Sequence, residues 1–545
     1  MGMGARLGYA LPAESQFSPF GAPMLNRRHF LATATLAGLS APAILRAEAG
    51  FFRDFPFSLG VAAGDPASDG FVIWTRLAPD PMIPHGGMPL VNVPVEWEVA
   101  EDSGFRTIAA KGTELARPEL GHSVHVEVAG LKPDRPYYYR FTAGGERSLR
   151  GRARTLPLPG ARADMLKFGV AGCQHYESGF YGAYRHLARE ELAFVYHYGD
   201  FIYEYQQDYL FPDGLPVRPV RKYALRGLQD LGDFRTAYTQ TLLDIDMQAA
   251  RSVHAFISSF DDHEIRNDWV STYDDWKMDL DGNDPDAPPP EVFMLRRQAA
   301  FQAWYEHMPV RKALLPRGGF IAANRELRYG DLMSMQILDT RQYRDNQPCG
   351  DGFKPTCPEV FAKDAQVLGK AQEDWLAKNL GKGGAEWNTI AQQVTMMSLD
   401  RRRKEDEPKK IVNLDSWAGY EAPRERILSR FAGLKNTVVL TGDEHQNFCG
   451  DLVHKDKLVG AEFVGTSISS GGDGSDLRRG TDVFLKLNPE LKFANDQRGY
   501  LVCEVGREAW QTHFMVVDKV TVPLGTLSKR ATGVVENGVA GIKMA

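Results

Sequence analysis

Four short segments of this 545-residue chain each end an apolar run in residues able to bind a metal ion. Phe168 to Val170 leads to Ala171-Gly172-Cys173-Gln174. Tyr196-His197-Tyr198-Gly199-Asp200 continues into Phe201-Ile202-Tyr203-Glu204. Phe256 to Phe260 leads to Asp261-Asp262-His263-Glu264, and Val438 to Thr441 leads to Gly442-Asp443-Glu444-His445. Asp, His, Cys and Tyr together supply the anionic and imidazole donors of a multi-metal hydrolytic site. A Cys173 thiolate and a Tyr203 phenolate suit trivalent iron, whereas Asp200, Asp262 and Asp443 are hard oxygen donors suited to calcium. A di-zinc site would use more imidazoles. Each segment alone has an ordinary reading: Cys173 as a small buried side chain, the acidic segment as a solvated turn, Tyr203 as a core aromatic. Their common architecture argues for a site.

Strand ends are where an open α/β sheet presents its ligand crevice, so four such ends can converge. Glycine just before Asp200 and Asp443 lets the backbone turn sharply there. From about residue 165, short buried strands (166–170, 194–198, later 333–338 and 437–441) alternate with helical stretches such as 181–191 and 292–308, the signature of an α/β layered domain. Residues 51 to about 155 read instead as short strands between turns, among them 71–75, 95–99 and 123–128. Leu131-Lys132-Pro133 followed by Tyr137-Tyr138-Tyr139-Arg140-Phe141 resembles the tyrosine corner of fibronectin-type sandwiches. The expected organisation is a β-sandwich over 50–158, a linker at Leu156–Gly160, and a catalytic domain over 159–545. The acidic, proline-rich stretch 279–290 is a surface loop. It is no EF-hand, because Asp284 stands where that loop needs glycine.

Asn26-Arg27-Arg28-His29-Phe30-Leu31 precedes an alanine-rich apolar run, 32–45, and Ala47-Glu48-Ala49 offers a small-residue cleavage site. Paired arginines before such a run look like a twin-arginine export signal, so residues 1–49 are set aside from the fold, and Met24 is an alternative start. The run is too short for a permanent membrane anchor. Composition is that of a soluble globular protein, with 43% hydrophobic and 25% charged residues. A net charge of −6 gives no reason to expect a nucleic-acid partner. Of five cysteines, Cys349 and Cys357 bracket a Gly-, Pro- and Asp-containing loop and are the natural disulfide pair of an exported protein; Cys173, Cys449 and Cys503 remain.

The order of the four motifs resembles that of calcineurin-like metallophosphoesterases, and in detail that of PhoD-type alkaline phosphatases. Gly60-Val61-Ala62-Ala63-Gly64-Asp65-Pro66, Ile73-Trp74-Thr75-Arg76, Leu338-Asp339-Thr340-Arg341-Gln342-Tyr343-Arg344 and Asp415-Ser416-Trp417-Ala418-Gly419-Tyr420 extend the resemblance over nearly the whole chain beyond the leader. It implies a layered metallophosphoesterase domain behind a small all-β sandwich, with Fe(3+) and Ca(2+) as cofactors. It also implies that Asp200 bridges two metals, that Cys173, Tyr203, Asp262, Asp443 and His445 are ligands, and that His263 assists at the phosphoryl group or leaving oxygen. Gln392 and Gln393 stand where related enzymes often place another histidine ligand. Among His175, Arg341, Tyr343 and Arg344, candidates for substrate phosphate, Arg341 is the one carried forward as substrate-binding. The implied reaction is hydrolysis of a phosphate ester by in-line attack of a metal-activated water, outside the cytoplasm, after passage through the twin-arginine machinery. Monoesters and diesters both remain open as substrates. A phospholipase-D-like diesterase and a non-catalytic, metal-stabilised cell-surface binding protein are the alternatives; the oligomeric state is not read from the residues.

Overall fold

A computed structural model describes residues 50–206, 219–225, 227–272 and 288–545. The leader assigned to 1–49 and most of the acidic loop at 279–290 lie outside the described residues. Two large mixed sheets pack face to face. The first has ten strands, in the order Lys543–Met544, Leu527–Glu536, Ala509–Val517, Gly499–Gly506, Met165–Ala171, Val195–His197, Ala255–Ser258, Val61–Gly64, Phe71–Arg76, Ser123–Val128. The second has seven, and its four central strands, Met333–Ile337, Trp387–Ala391, Thr437–Thr441 and Lys457–Val464, run parallel.

Side-chain alternation explains the layers. In Met165–Ala171 and Val195–His197, Phe168, Val170 and Tyr196 point into the core between the sheets, with Met335, Leu440 and Phe463 facing them. Their neighbours Ala171 and Val195 point the other way, onto helices Gly182–Leu187, Leu231–Leu242, Ile245–Val253 and Pro290–His307. Helices Gly369–Asn379 and Glu421–Phe431 cover the outer face of the second sheet through Leu376, Ile427 and Phe431. The result is the α/β layered fold expected, with buried parallel strands that read as continuous apolar runs because both faces are covered.

Residues 50–158 are all-β. Strands Val93–Ala100, Ile108–Ala116 and Pro136–Ala143 form a separate antiparallel sheet. The Tyr137 hydroxyl accepts from Lys132 N at 2.9 Å and donates to Lys132 O at 3.4 Å, the tyrosine-corner contact. The other N-terminal strands do not stay apart. Val61–Gly64 lies parallel beside Ala255–Ser258, so the N-terminal segment continues the sheet that carries the candidate site. Leu156, assigned to a linker, is instead buried in the core between the sheets. Cys349 and Cys357 are disulfide-bonded, and Cys173, Cys449 and Cys503 are free and buried. No helix among the described residues is long and apolar enough to cross a membrane.

Candidate metal centre

The four strand ends meet on one edge of the sandwich. Met165–Ala171, Val195–His197 and Ala255–Ser258 bring Cys173, Asp200 and Asp262–His263 from the first sheet; Thr437–Thr441 brings Asp443 and His445 from the second. Cys173, Asp200, Asp443 and His445 all have left-handed backbone, with φ of 53°, 55°, 67° and 51°. Non-glycine residues avoid this region, and clusters of such residues mark sites where the fold imposes a conformation. The separation of the two sheets at this edge is set by Tyr198. A Cβ on Gly172 or on Gly442 would come within 2.2 Å of the Tyr198 ring, so only glycine lets both strand ends close on it.

Beneath the strand ends, the buried Glu264 carboxylate accepts from the backbone N–H of Asp200 (3.1 Å), Phe201 (2.7 Å) and Asp261 (2.7 Å). It thereby pins the Asp200 turn to the Asp261 turn.

Among the described residues, three overlapping groups have donor atoms within 4.8 Å of one another: Cys173, Asp200 and His445; Asp200, Asp262 and His263; Asp261, Asp262 and Asp443. Asp200 belongs to two of them. The Tyr203 hydroxyl joins the first group: it donates to Asp200 Oδ2 (2.9 Å), lies 3.1 Å from His445 Nε2, and accepts from Ser470 Oγ (2.7 Å). All seven residues expected at the centre are therefore brought together.

Their charges are poorly matched without a cation. Burial and the neighbouring Asp262 carboxylate push Asp200 up to about 6, against an opposing pull from His263. Burial drives Asp261 up to about 8 in spite of Arg341, with Asp262 and Asp200 adding to the rise. Burial and Asp261 likewise raise Asp443, and burial with the charges of Asp200, Asp443 and Asp261 holds the Cys173 thiol far from ionising. Asp200 Oδ1 and Asp261 Oδ2 are buried with no hydrogen-bond partner. Carboxylate oxygens left bare in this way are the donors that a divalent or trivalent cation completes, so the residues present fit metal ions.

His263 behaves differently. Burial alone would lower its affinity for a proton, but Asp262, Glu204 and Asp200 outweigh burial and raise it well above the usual range. Its Nδ1 lies 2.8 Å from Glu204 Oε2, and Glu204 Oε1 accepts from Asn267 N at 2.8 Å. Glu204 is thus a positioning residue that fixes the ring. Glu204→Gln keeps size and an acceptor oxygen but removes the charge; kcat should fall about 10–100-fold with KM little moved. Steady-state kinetics checks this, and an unchanged kcat would mean the ring needs no such anchor.

Arg341 is placed otherwise than expected for a substrate-binding group. It is wholly buried, donating from Nε to Asp261 Oδ1 (2.5 Å) and from Nη1 to Asp415 Oδ2 (2.7 Å). Its Nη2 lies 3.6 Å from Asp262 and 3.7 Å from Asp443. Arg341 therefore sits below the carboxylates as their counter-ion. Arg344 backs it by pairing with Asp415. Gln392 accepts from Trp417 Nε1 (3.0 Å) and donates to Val394 O (2.6 Å); Gln393 accepts from Thr340 and donates to Leu338 O (2.9 Å). Both amides are occupied with structural bonds. His175 is buried among the rings of Tyr203, Tyr205 and Tyr223, and Tyr343 lies at the surface.

Ser470, Arg498 and Glu264 were not picked out from the sequence as part of the centre. Arg498 donates to the carbonyl of His445 and to Ser467 Oγ (2.9 Å), fixing the His445 turn. Only the Asp-His-Glu run around Glu264 carried any signal.

Comparison with known proteins gives the chain a family. The profile described as "PhoD-like phosphatase" matches residues 168–514, and "PhoD-like phosphatase, N-terminal domain" matches residues 44–157. The chain belongs to the PhoD-like phosphatase family. A PhoD-like relative, "Alkaline phosphatase D" of Bacillus subtilis (strain 168), is 43% identical over 536 residues, covering 95% of this chain and 89% of the relative. The solved "Structure of PhoD" superposes with a TM-score of 0.85 at 44% identity, covering 91% of this chain and 93% of the other. A purple acid phosphatase, PPD1, from yellow lupin (Lupinus luteus) seeds shares the fold, with a TM-score of 0.52, 12% identity and coverage of 87% and 74%. The PhoD-like family consists of phosphoric ester hydrolases, and this chain is one of them.

Proposed function

We propose that this phosphoric ester hydrolase is an exported, metal-dependent alkaline phosphatase acting on phosphate monoesters, diesters or both. Cys173, Asp200, Tyr203 and His445 would hold iron(III), and Asp200, Asp262 and Asp443 would hold calcium. The observation that carries the reading is the membership of Asp200 in two donor groups at once, one with a thiol and an imidazole and one with a second carboxylate and an imidazole. Bound metals would supply charge stabilisation at the phosphate oxygens and an acidified water. The chain's own part is to hold the carboxylates over Arg341, to exclude water behind Tyr198 and Tyr203, and to present His263, steadied by Glu204, with a proton for the departing oxygen. The same proposal assigns residues 1–49 to a twin-arginine leader, 50–158 to an N-terminal domain and 159–545 to the catalytic domain.

One experiment tests these parts together. The full-length chain is produced in a bacterium with a twin-arginine pathway, cells are fractionated, and hydrolysis of p-nitrophenyl phosphate and its bis-ester is measured. Activity is expected outside the cytoplasm, lost with a calcium chelator and restored by calcium rather than zinc, with iron found by elemental analysis. Cys173→Ala should lose iron, visible charge-transfer colour and activity together while keeping its unfolding cooperativity. Zinc without iron in active protein overturns the metal assignment, and full activity in Cys173→Ala makes the thiol structural. Activity confined to the cytoplasm removes the export part.

A further inference from the structure

Among the described residues, the centre is unevenly exposed. The side chains of Asp200 and Asp262 are 1% and 3% exposed, whereas those of Asp443 and His445 are 19% and 28% exposed. A phosphate ester therefore arrives over the Asp443–His445 segment, and its organic group must lie against whatever borders that segment.

Glu444, between the two, is the connection outward. Its carboxylate pairs with Arg401 and accepts from Thr395 Oγ1 at 3.3 Å. The Arg401 guanidinium in turn lies 5.0 Å from the ring centre of Phe484, 5.5 Å from Phe448 and 5.9 Å from Phe353. Phe448 is buried and Phe484 half-buried; Phe353 is 60% exposed. A lone exposed phenylalanine would be unremarked. This one is tied in place by covalent and main-chain links. It sits in the loop closed by the Cys349–Cys357 disulfide, and its strand, Phe353–Pro355, pairs antiparallel with Ile411–Asn413. The second strand leads directly to Asp415, the partner of Arg341 and Arg344 beneath the metal groups. The ring is thus mounted on the same framework that positions the centre.

We propose that Phe353, backed by Arg401, is the specificity element that receives the alcohol portion of the substrate, and that it selects phosphate esters of aromatic or otherwise planar apolar alcohols. A rigid ring offers contact area with little ordering cost, and an arginine behind it keeps the apolar surface from collapsing inward. The proposal rests on the phosphatase reading above.

The test compares 1-naphthyl phosphate with glycerol phosphate for the wild type, Phe353→Ala and Phe353→Trp, as metal-loaded full-length enzymes. Phe353→Ala should raise KM for the naphthyl ester about five- to tenfold with kcat within about twofold, and Phe353→Trp should restore it. The KM change for glycerol phosphate should be several times smaller. Equal KM changes for both esters, or none for the naphthyl ester at unaltered metal content, overturn the subsite while leaving the phosphatase reading intact. A wild type that hydrolyses neither ester overturns that reading and the subsite with it.

Discussion

Asp200→Asn is expected to lower kcat/KM by about a thousandfold or more and to empty both metal positions together. The substitution keeps the side chain's size and its turn at φ 55° while removing one negative charge. That carboxylate is shared by the Cys173–His445 group and the Asp262–His263 group, and its Oδ1 is bare in the protein alone. Charge stabilisation of several kcal/mol from a metal site corresponds to this loss of rate, since each 1.36 kcal/mol is about tenfold. The same variant should not weaken the metal-free fold. Burial first, then Asp262, raises the Asp200 pKa from its usual value to about 6. An acid raised in the folded state destabilises that state once pH exceeds its unfolded pKa, and does so fully above about 6. Asparagine removes this penalty, so at pH 7–8 the metal-free variant should melt no lower than the metal-free wild type. Thermal unfolding with and without calcium, beside elemental analysis, separates the outcomes. A variant that keeps both metals and substantial activity would remove Asp200 from its bridging role.

Arg341→Met is expected to destabilise the protein by about 3–5 kcal/mol, because it removes one partner of a buried ionic network and leaves the others uncompensated. Arg341 contacts Asp261 and Asp415 directly and lies within 4.0 Å of Asp262 and Asp443; the first three have almost no solvent to screen them, and Asp443 is partly exposed. Asp261 already sits near 8 with the guanidinium present, chiefly from burial. Without it, the carboxyls must take up protons or repel. A lowered denaturant midpoint at constant m-value, with the loss smaller when calcium is bound, is the expected signature. An unchanged midpoint with a large rise in KM would instead return Arg341 to the substrate-contacting role that its type and motif first suggested.

That contrast shows where the sequence could be read and where it could not. The four strand-end motifs were legible because each is local: an apolar run, a turn, then donor residues. Thr437–Thr441 was located to the residue, and the helix expected at 292–308 runs Pro290–His307. The tyrosine corner, a contact between Lys132 and Tyr137, was legible for the same reason. Arg341 was not, since an arginine in a charged motif looks alike whether it faces solvent or a cluster of carboxylates; only packing against residues 74 to 102 positions away decides it. The pairing of Val61–Gly64 with Ala255–Ser258 is likewise invisible to periodicity, as are the reach of Ser470 to Tyr203 and of Arg498 to the His445 turn. Glu264 closes the third strand-end motif in the sequence with no role of its own, whereas its three backbone partners make it a strut.

The wedging of Tyr198 between Gly172 and Gly442 also carries a consequence for biosynthesis. Both strand ends must be present before the ring has its second wall, and the donors extend from Cys173 to His445. At ordinary ribosomal rates the nascent chain exposes Cys173 on the order of 10–50 s before His445 emerges. During that interval the thiol has neither its burial nor its carboxylate neighbours, and it titrates like any free cysteine. It would be open to oxidation in an oxidising compartment and protected in a reducing one. Completing translation and folding in the cytoplasm, before the chain crosses any membrane, would therefore deliver Cys173 to its place still as a thiol.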